Sequence, residues 1–304
     1  MSNILVLGGA GYIGSILVPE LLEEGHKVKV VDNFIYGQNS LSHCCSYRNF
    51  DVFKADVRDW DAIKHHVMQA DIVLPLAALV GAPICDKNPI DAKLVNLDHP
   101  LKLFKSLGTG QRVIMPTTES AYGSTESGEC TEGTPINPLS SYAKDKAIIE
   151  AALLQRKDAV SLRFATVFGM SPRMRLDLLI NDFTWRAHVD GTIVLYESHF
   201  KRTCLHVRDA AGAIRHAIRN LGSGIYNVGA FAATKTEICR AIAQRTRLNY
   251  VEMDAGKDPD QRNYDVSSKK LKATGFEFKW DLDKGIEELL KGYKMLKNTR
   301  YGNV

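Results

Sequence analysis

No two of the six cysteines are spaced as a Cys-x-x-Cys pair, and no other metal-ligand spacing joins Cys44, Cys45, Cys85, Cys130, Cys204 and Cys239. They read as reduced thiols, and no metal site is expected. Also missing is any apolar run long enough to span a membrane, so no membrane association is expected. Basic runs interleaved with aromatics are absent too, and a net charge of +4 is small for 304 residues, so nucleic acid is not an expected partner. Internal repeats and low-complexity tracts are lacking. The first strand-like stretch begins at Asn3 and leaves no room for a secretory leader, which predicts a cytoplasmic protein.

What is present is a hydrophobic share of 45 %, enough for a sizeable core in one large or two small domains. The chain opens on Asn3-Ile4-Leu5-Val6-Leu7, an apolar run suited to a buried parallel strand. It passes directly into Gly8, Gly11 and Gly14, and then into Tyr12 to Glu24, whose apolar residues recur at helical spacing. Glycines let the backbone approach a pyrophosphate closely, and the N–H groups and dipole at the helix start favour its charge. A second strand, Lys27 to Val31, ends at Asp32, which suits the adenosine ribose hydroxyls and repels a 2′-phosphate. The spacing predicts a bound dinucleotide, NAD rather than NADP.

Further along, the sequence predicts a polar loop over residues 33–48, beginning at Asn33, and a strand from Phe50 that ends at Asp56-Val57, where side chains meet adenine. A helix is expected over Asp61 to Gln69. The next strand, Asp71 to Leu76, opens into Ala77-Ala78-Leu79-Val80-Gly81, small residues that let ribose and phosphate lie against the backbone. Lys93 to Leu107 reads as a helix interrupted at Pro100, and Arg112 to Pro116 as a strand that delivers Thr118 to the carboxyl edge of the sheet, where ligands of open α/β sheets bind. Ser140 or Ser141 caps a helix running to about Gln155, followed by a strand at Ala159 to Ala165. This alternation predicts an α/β fold, a doubly wound parallel sheet of the Rossmann type. Beyond it, Asp177 to His188 and His206 to Asn220 read as helices, Thr192 to Glu197 as a strand, and Ile225 to Val228 as a strand returning to the main sheet. The expected division is 1–165 plus 206–229 for the cofactor domain, and 166–205 plus 230–304 for a smaller mixed α/β cap that binds substrate.

Tyr142 and Lys146 stand four residues apart on one helix face. A tyrosine, with a pKa of about 10, is a poor base at neutral pH unless cations favour its phenolate. A neighbouring ammonium and an oxidised nicotinamide are such cations, so Tyr142 is the expected base for an alcohol that Thr118 orients. Arg173, Arg175, Arg208 and Arg262 are either surface ion-pair partners or the donors a diphosphate needs. His206 reads as a packed residue at a helix start.

Gly8-Gly9-Ala10-Gly11-Tyr12-Ile13-Gly14, Asp32, Asp56-Val57, Leu76-Ala77-Ala78, Thr118, Tyr122-Gly123, Tyr142 to Lys146, Leu162-Arg163-Phe164 and Arg262 together resemble the extended short-chain dehydrogenase/reductases, the NAD-dependent epimerase/dehydratase family. The resemblance implies a Thr118-Tyr142-Lys146 catalytic set, NAD held also by Tyr12, Ile13, Asn96, Tyr142 and Lys146, the lysine at the nicotinamide ribose, and a homodimer built on a four-helix bundle. It further implies a nucleotide-diphosphate sugar at Val80, Glu119, Ser120, Arg173, Arg175, Asn181, Arg208 and Arg262. Pro75 and Thr166 depart from the family pattern, and Glu119-Ser120 differs from the Asp-Glu or Ser-Glu that follows the catalytic threonine of 4,6-dehydratases. Leu76 to Pro83 and Ser171 to Phe183 look like the branch that includes GDP-manno-heptose 4-dehydrogenases of surface-polysaccharide synthesis. The expected activity is oxidation at C4 of a nucleotide-linked sugar, by a dehydrogenase or an epimerase. A 4,6-dehydratase or a non-catalytic NAD-binding regulator is the alternative.

Overall fold

A computed structural model describes residues 1–37, 39–124, 128–253 and 265–296. Arg262 lies outside the described residues. The chain begins with β1 (Asn3–Leu7), α1 (Gly14–Glu23), β2 (Lys27–Asp32), β3 (Phe50–Lys54), α2 (Trp60–Met68) and β4 (Ile72–Pro75). Next come α3 (Ala82–Lys87), α4 (Pro89–Lys93), α5 (His99–Ser106), β5 (Arg112–Thr118), β6 (Glu129–Cys130), α6 (Ser141–Leu153) and β7 (Ala159–Phe164). Then follow β8 (Thr166–Phe168), α7 (Leu179–Val189), β9 (Thr192–Tyr196), β10 (Lys201–His206), α8 (Val207–Asn220) and β11 (Gly224–Val228). The described chain closes with β12 (Phe231–Thr234), α9 (Lys235–Ala243), β13 (Asn249–Met253), β14 (Asp265–Val266), α10 (Lys269–Lys272) and α11 (Leu282–Tyr293).

The main sheet has seven strands in the order β11-β7-β5-β4-β1-β2-β3, all parallel. Parallel strands buried on both faces explain the unbroken apolar runs. In β1, Ile4 and Val6 pack with α1 and α8 on one face, while Leu5 and Leu7 pack with α2, α5 and α6 on the other. This is the doubly wound arrangement, and the strand from residue 224 does join its edge.

Beyond β7 the chain builds small sheets that periodicity did not foretell. One holds β12, β10 and β8, with β10 parallel to β8 and antiparallel to β12. β9 pairs with β13 and β6 with β14, each in parallel. Apolar residues of α7, α9 and α11 continue the core on the α1 and α8 side without a break. The helix expected from Lys93 starts earlier, at Pro89, and the turn Leu94–Asp98 is a π-helix directly followed by α5. Pro100 then falls in the first turn of α5, directly after the π-helical turn. Among the described residues no helix is long and apolar enough to cross a membrane.

Candidate active site and cofactor cleft

The carboxyl ends of β1, β2, β3 and β4 open onto a cleft. Gly8, Gly11, Asp32, Asn33, Asp56, Val57, Leu76, Ala77 and Ala78 line it, as the sequence placed them. Gly8 has φ +81°, and a Cβ there would lie 2.5 Å from the Ala77 backbone nitrogen. At Gly14 a Cβ would run into the Gly9 carbonyl. The two loops therefore approach as closely as glycine allows, with Leu76 and Ala77 both donating to the Leu7 carbonyl at 2.8 and 2.7 Å. Such a bare cradle ahead of a helix N-terminus fits a dinucleotide pyrophosphate.

At the far end, Asp32 accepts from the Ala10 and Phe34 backbone N–H groups at 2.9 and 2.8 Å. Burial raises its pKa against the pull of those donors. Asp56 is held well below the usual carboxylate range by Arg58, whose guanidinium bonds both of its oxygens, and Asn33 donates to it at 3.1 Å. Arg58 also reaches Asp91 of α4 at 2.6 Å, tying the adenine end to the neighbouring helix. Arg58 and Tyr36 both line the cleft and were not singled out in the sequence. Their only signal there is adjacency to Asp56 and to the loop after Asp32.

The residues expected to react lie at the end of β5 and in the first turns of α6. Thr118 caps the short 3-10 turn Glu119–Tyr122, its Oγ1 accepting from the Ser120 N–H at 3.1 Å and donating to the Ser120 hydroxyl at 3.0 Å. Ser140 caps α6 by accepting from the Ala143 N–H, so Tyr142 and Lys146 fall in the first turns. Tyr142 packs half-buried against the cluster of Ile84, Cys85 and Ala92. The Lys146 ammonium lies 5.9 Å from the centre of the Tyr142 ring and donates to the Pro116 carbonyl at 3.4 Å. α6 thus sets Lys146 beside Tyr142 and against β5, two residues before Thr118.

Burial pulls Lys146 down to about 8, with Cys85 and Asp145 pulling it back. A buried cation of this kind destabilises the fold. A lysine whose folded pKa lies below its ordinary 10.5 burdens the native state wherever it is protonated. Stability is therefore lowest below about pH 8 and recovers as pH rises towards 10.5. Lys146→Met removes the buried charge and is expected to stabilise the protein at pH 7 by roughly 2–3 kcal/mol. Urea unfolding at pH 7 and pH 10 checks it: the gain over the natural chain must shrink at the higher pH.

Several candidates occupy other positions than the sequence assigned. The Tyr12 hydroxyl points away from the cleft, donating to the Gly169 carbonyl at 2.6 Å and accepting from Asn181 at 3.1 Å. Ile13 packs against the core as the residue before α1. Asn181, expected at the substrate, is buried with its amide bonded to Gly169, Tyr12 and Arg175. Asn96 is likewise buried and holds both backbone groups of Leu79 at 2.9 Å, so it shapes the loop after β4. Arg208 is exposed, bonded to Glu288 at 2.9 Å near Trp280, and is absent from the cleft lining. Glu119 is fully enclosed, its carboxylate beneath Gly229 and near Cys204. Arg175 pairs with Asp177 and reaches the Val80 carbonyl at 3.4 Å. His206 is the buried cap of α8, bonded to Glu288 and stacked on Trp280. Among the described residues no cluster of ligands for a metal ion occurs.

Residues 4–229 match the model of the NAD dependent epimerase/dehydratase family. The low-salt glycan biosynthesis protein Agl12 of Haloferax volcanii is 26 % identical, over 96 % of this chain and 98 % of its own. The dTDP-glucose 4,6-dehydratase of an Actinoplanes species is 28 % identical, again over 96 % and 98 %. Among solved structures, UDP-glucose 4-epimerase of Thermus thermophilus in complex with NAD superposes with a TM-score of 0.83 at 26 % identity, covering 96 % of this chain and 99 % of the other.

Proposed function

Because the chain belongs to the NAD-dependent epimerase/dehydratase family and its cofactor is NAD, we propose that it oxidises C4 of a nucleotide-linked sugar in the synthesis of a surface polysaccharide. The observation that supports this reading is a buried Lys146 beside the Tyr142 ring that donates to the Pro116 carbonyl, two residues before Thr118 on β5. Bound in that cleft, NAD supplies an acceptor for the hydride that leaves C4. Tyr142 takes the hydroxyl proton, Thr118 orients the sugar oxygen, and the Lys146 cation favours the phenolate. Glu119, the nearest counterpart of a dehydratase carboxylate, is enclosed by protein, which favours oxidation without dehydration. GDP-manno-heptose is the lead substrate, on the likeness of the 76–83 and 171–183 segments.

Incubation with NAD and GDP-, UDP- or dTDP-sugars, followed by mass spectrometry, tests the reading. A loss of two hydrogens identifies a dehydrogenase, and an unchanged mass with altered stereochemistry an epimerase. Absence of both, with no NADH absorbance at saturating NAD, would leave an NAD-binding regulator.

A cytoplasmic location is in keeping with the six free thiols. We also infer a homodimer through α4, α5 and α6. Ile149 and Leu153 are spent in the core, but Ile90, Leu94 and Ile148 remain exposed at 75 %, 39 % and 51 %. A two-fold axis would cover them. Sedimentation at micromolar concentration should give a dimer, and a monomer would refute it.

A further inference from the structure

We propose that Arg173, expected from the sequence to hold the sugar nucleotide, instead binds the diphosphate of the dinucleotide cofactor, so that a loop after β8 closes the cleft over NAD. This rests on the reading of the cleft as the NAD site.

Among the described residues, Arg173 is the one lining residue of the cleft that comes from beyond β5. Its guanidinium carbon sits 3.7 Å from the centre of the Tyr36 ring, which lines the same cleft. The loop that carries it is pinned to the glycine-turn end of α1. The Ser171 hydroxyl donates to the Tyr12 carbonyl at 2.7 Å and shares a 2.8 Å bond with Ser15, whose hydroxyl accepts from the Arg173 N–H at 3.4 Å. Tyr12 adds its bond to Gly169. The arginine is thus mounted on the helix end that receives the phosphates.

Two further observations call for an anion here. Arg173 is 2 % exposed, and the charge of Arg175 opposes its own while Asp177 and Asp32 favour it, so two cations share this buried neighbourhood with two carboxylates. Burial and Arg175 together bring Arg173 down to about 10. The Tyr36 hydroxyl is buried with no hydrogen-bond partner among the described residues. A diphosphate between Gly11 and Tyr36 would meet a forked cation, with a hydroxyl donor at hand.

The test is equilibrium binding to Arg173→Met and Arg173→Lys, with NAD, ADP-ribose, adenosine, and the nucleoside diphosphates UDP, GDP and dTDP as probes. Arg173→Met should weaken NAD and ADP-ribose by about tenfold or more, as expected for a lost charge-assisted contact, and leave adenosine within about twofold. Arg173→Lys keeps the charge and should hold NAD within about threefold. If Arg173→Met does not fold, Arg173→Gln is read in its place. Unchanged NAD affinity, an equal loss of adenosine, or a loss confined to UDP, GDP or dTDP would each overturn the proposal, as would a tenfold loss in Arg173→Lys. Failure of the natural chain to bind NAD and ADP-ribose would sink the cofactor reading as well, which keeps the two failures distinct.

Discussion

Tyr142→Phe folds, holds NAD and loses 10²–10⁴-fold in turnover, roughly 3–5 kcal/mol of barrier. Phenylalanine keeps the ring in its seat against the cluster of Ile84, Cys85 and Ala92 and deletes only the phenolic oxygen. Tyr142 is not among the residues that line the cleft, so that lining is kept. Lys146 remains buried beside the ring, so the variant also retains the alkaline rise in stability that Lys146→Met abolishes. Steady-state rates with the best nucleotide sugar, together with cofactor occupancy, decide it. Turnover above about a tenth of the natural enzyme's means that another group takes the proton.

How much of this was readable beforehand depended on range. The first half of the chain announces itself because each buried parallel strand is an apolar run and each turn has its own residues, so Gly8, Asp32, Asp56 and Thr118 could be placed by spacing alone. β10 could not. It opens on Lys201-Arg202-Thr203, yet residues 202–206 are all buried, because β8 and β12 flank it on both sides. The same limit governs the site. Tyr12, Asn181 and Arg173 were given ligand roles from their neighbours in sequence. In the fold, Tyr12 spends its hydroxyl on Gly169, 157 positions away, and Asn181 spends its amide around it. Those bonds bring the Arg173 loop to α1, and no periodicity encodes a contact of that span.

Removing the carboxylate of Glu150 is expected to destabilise the protein by about 3–5 kcal/mol, the cost of stranding a buried charge. Glu150 lies one helical turn beyond Lys146 on α6, and both it and Arg163 of β7 are 4 % exposed. The Arg163 Nε donates to each carboxylate oxygen at 3.1 Å, while Thr117 and Ser161 donate to Oε2 at 3.0 and 2.6 Å. Arg163 in turn donates to the Tyr122 hydroxyl at 2.7 Å, and Tyr122 donates to Asn227 at 2.8 Å. β5, β7, β11 and α6 are therefore tied together around one carboxylate, which Thr117 bonds directly before Thr118. Glu150→Leu leaves Arg163 without its countercharge and two hydroxyls without their acceptor. A melting temperature roughly 10 °C lower is expected. Arg163→Met alone should cost a similar amount, and the double variant should recover much of the loss, because the stranded charge is then gone. Thermal unfolding of the three variants reads this cycle directly. Strictly additive losses would mean that the pair is not coupled, and that α6 is held in register by its apolar contacts alone.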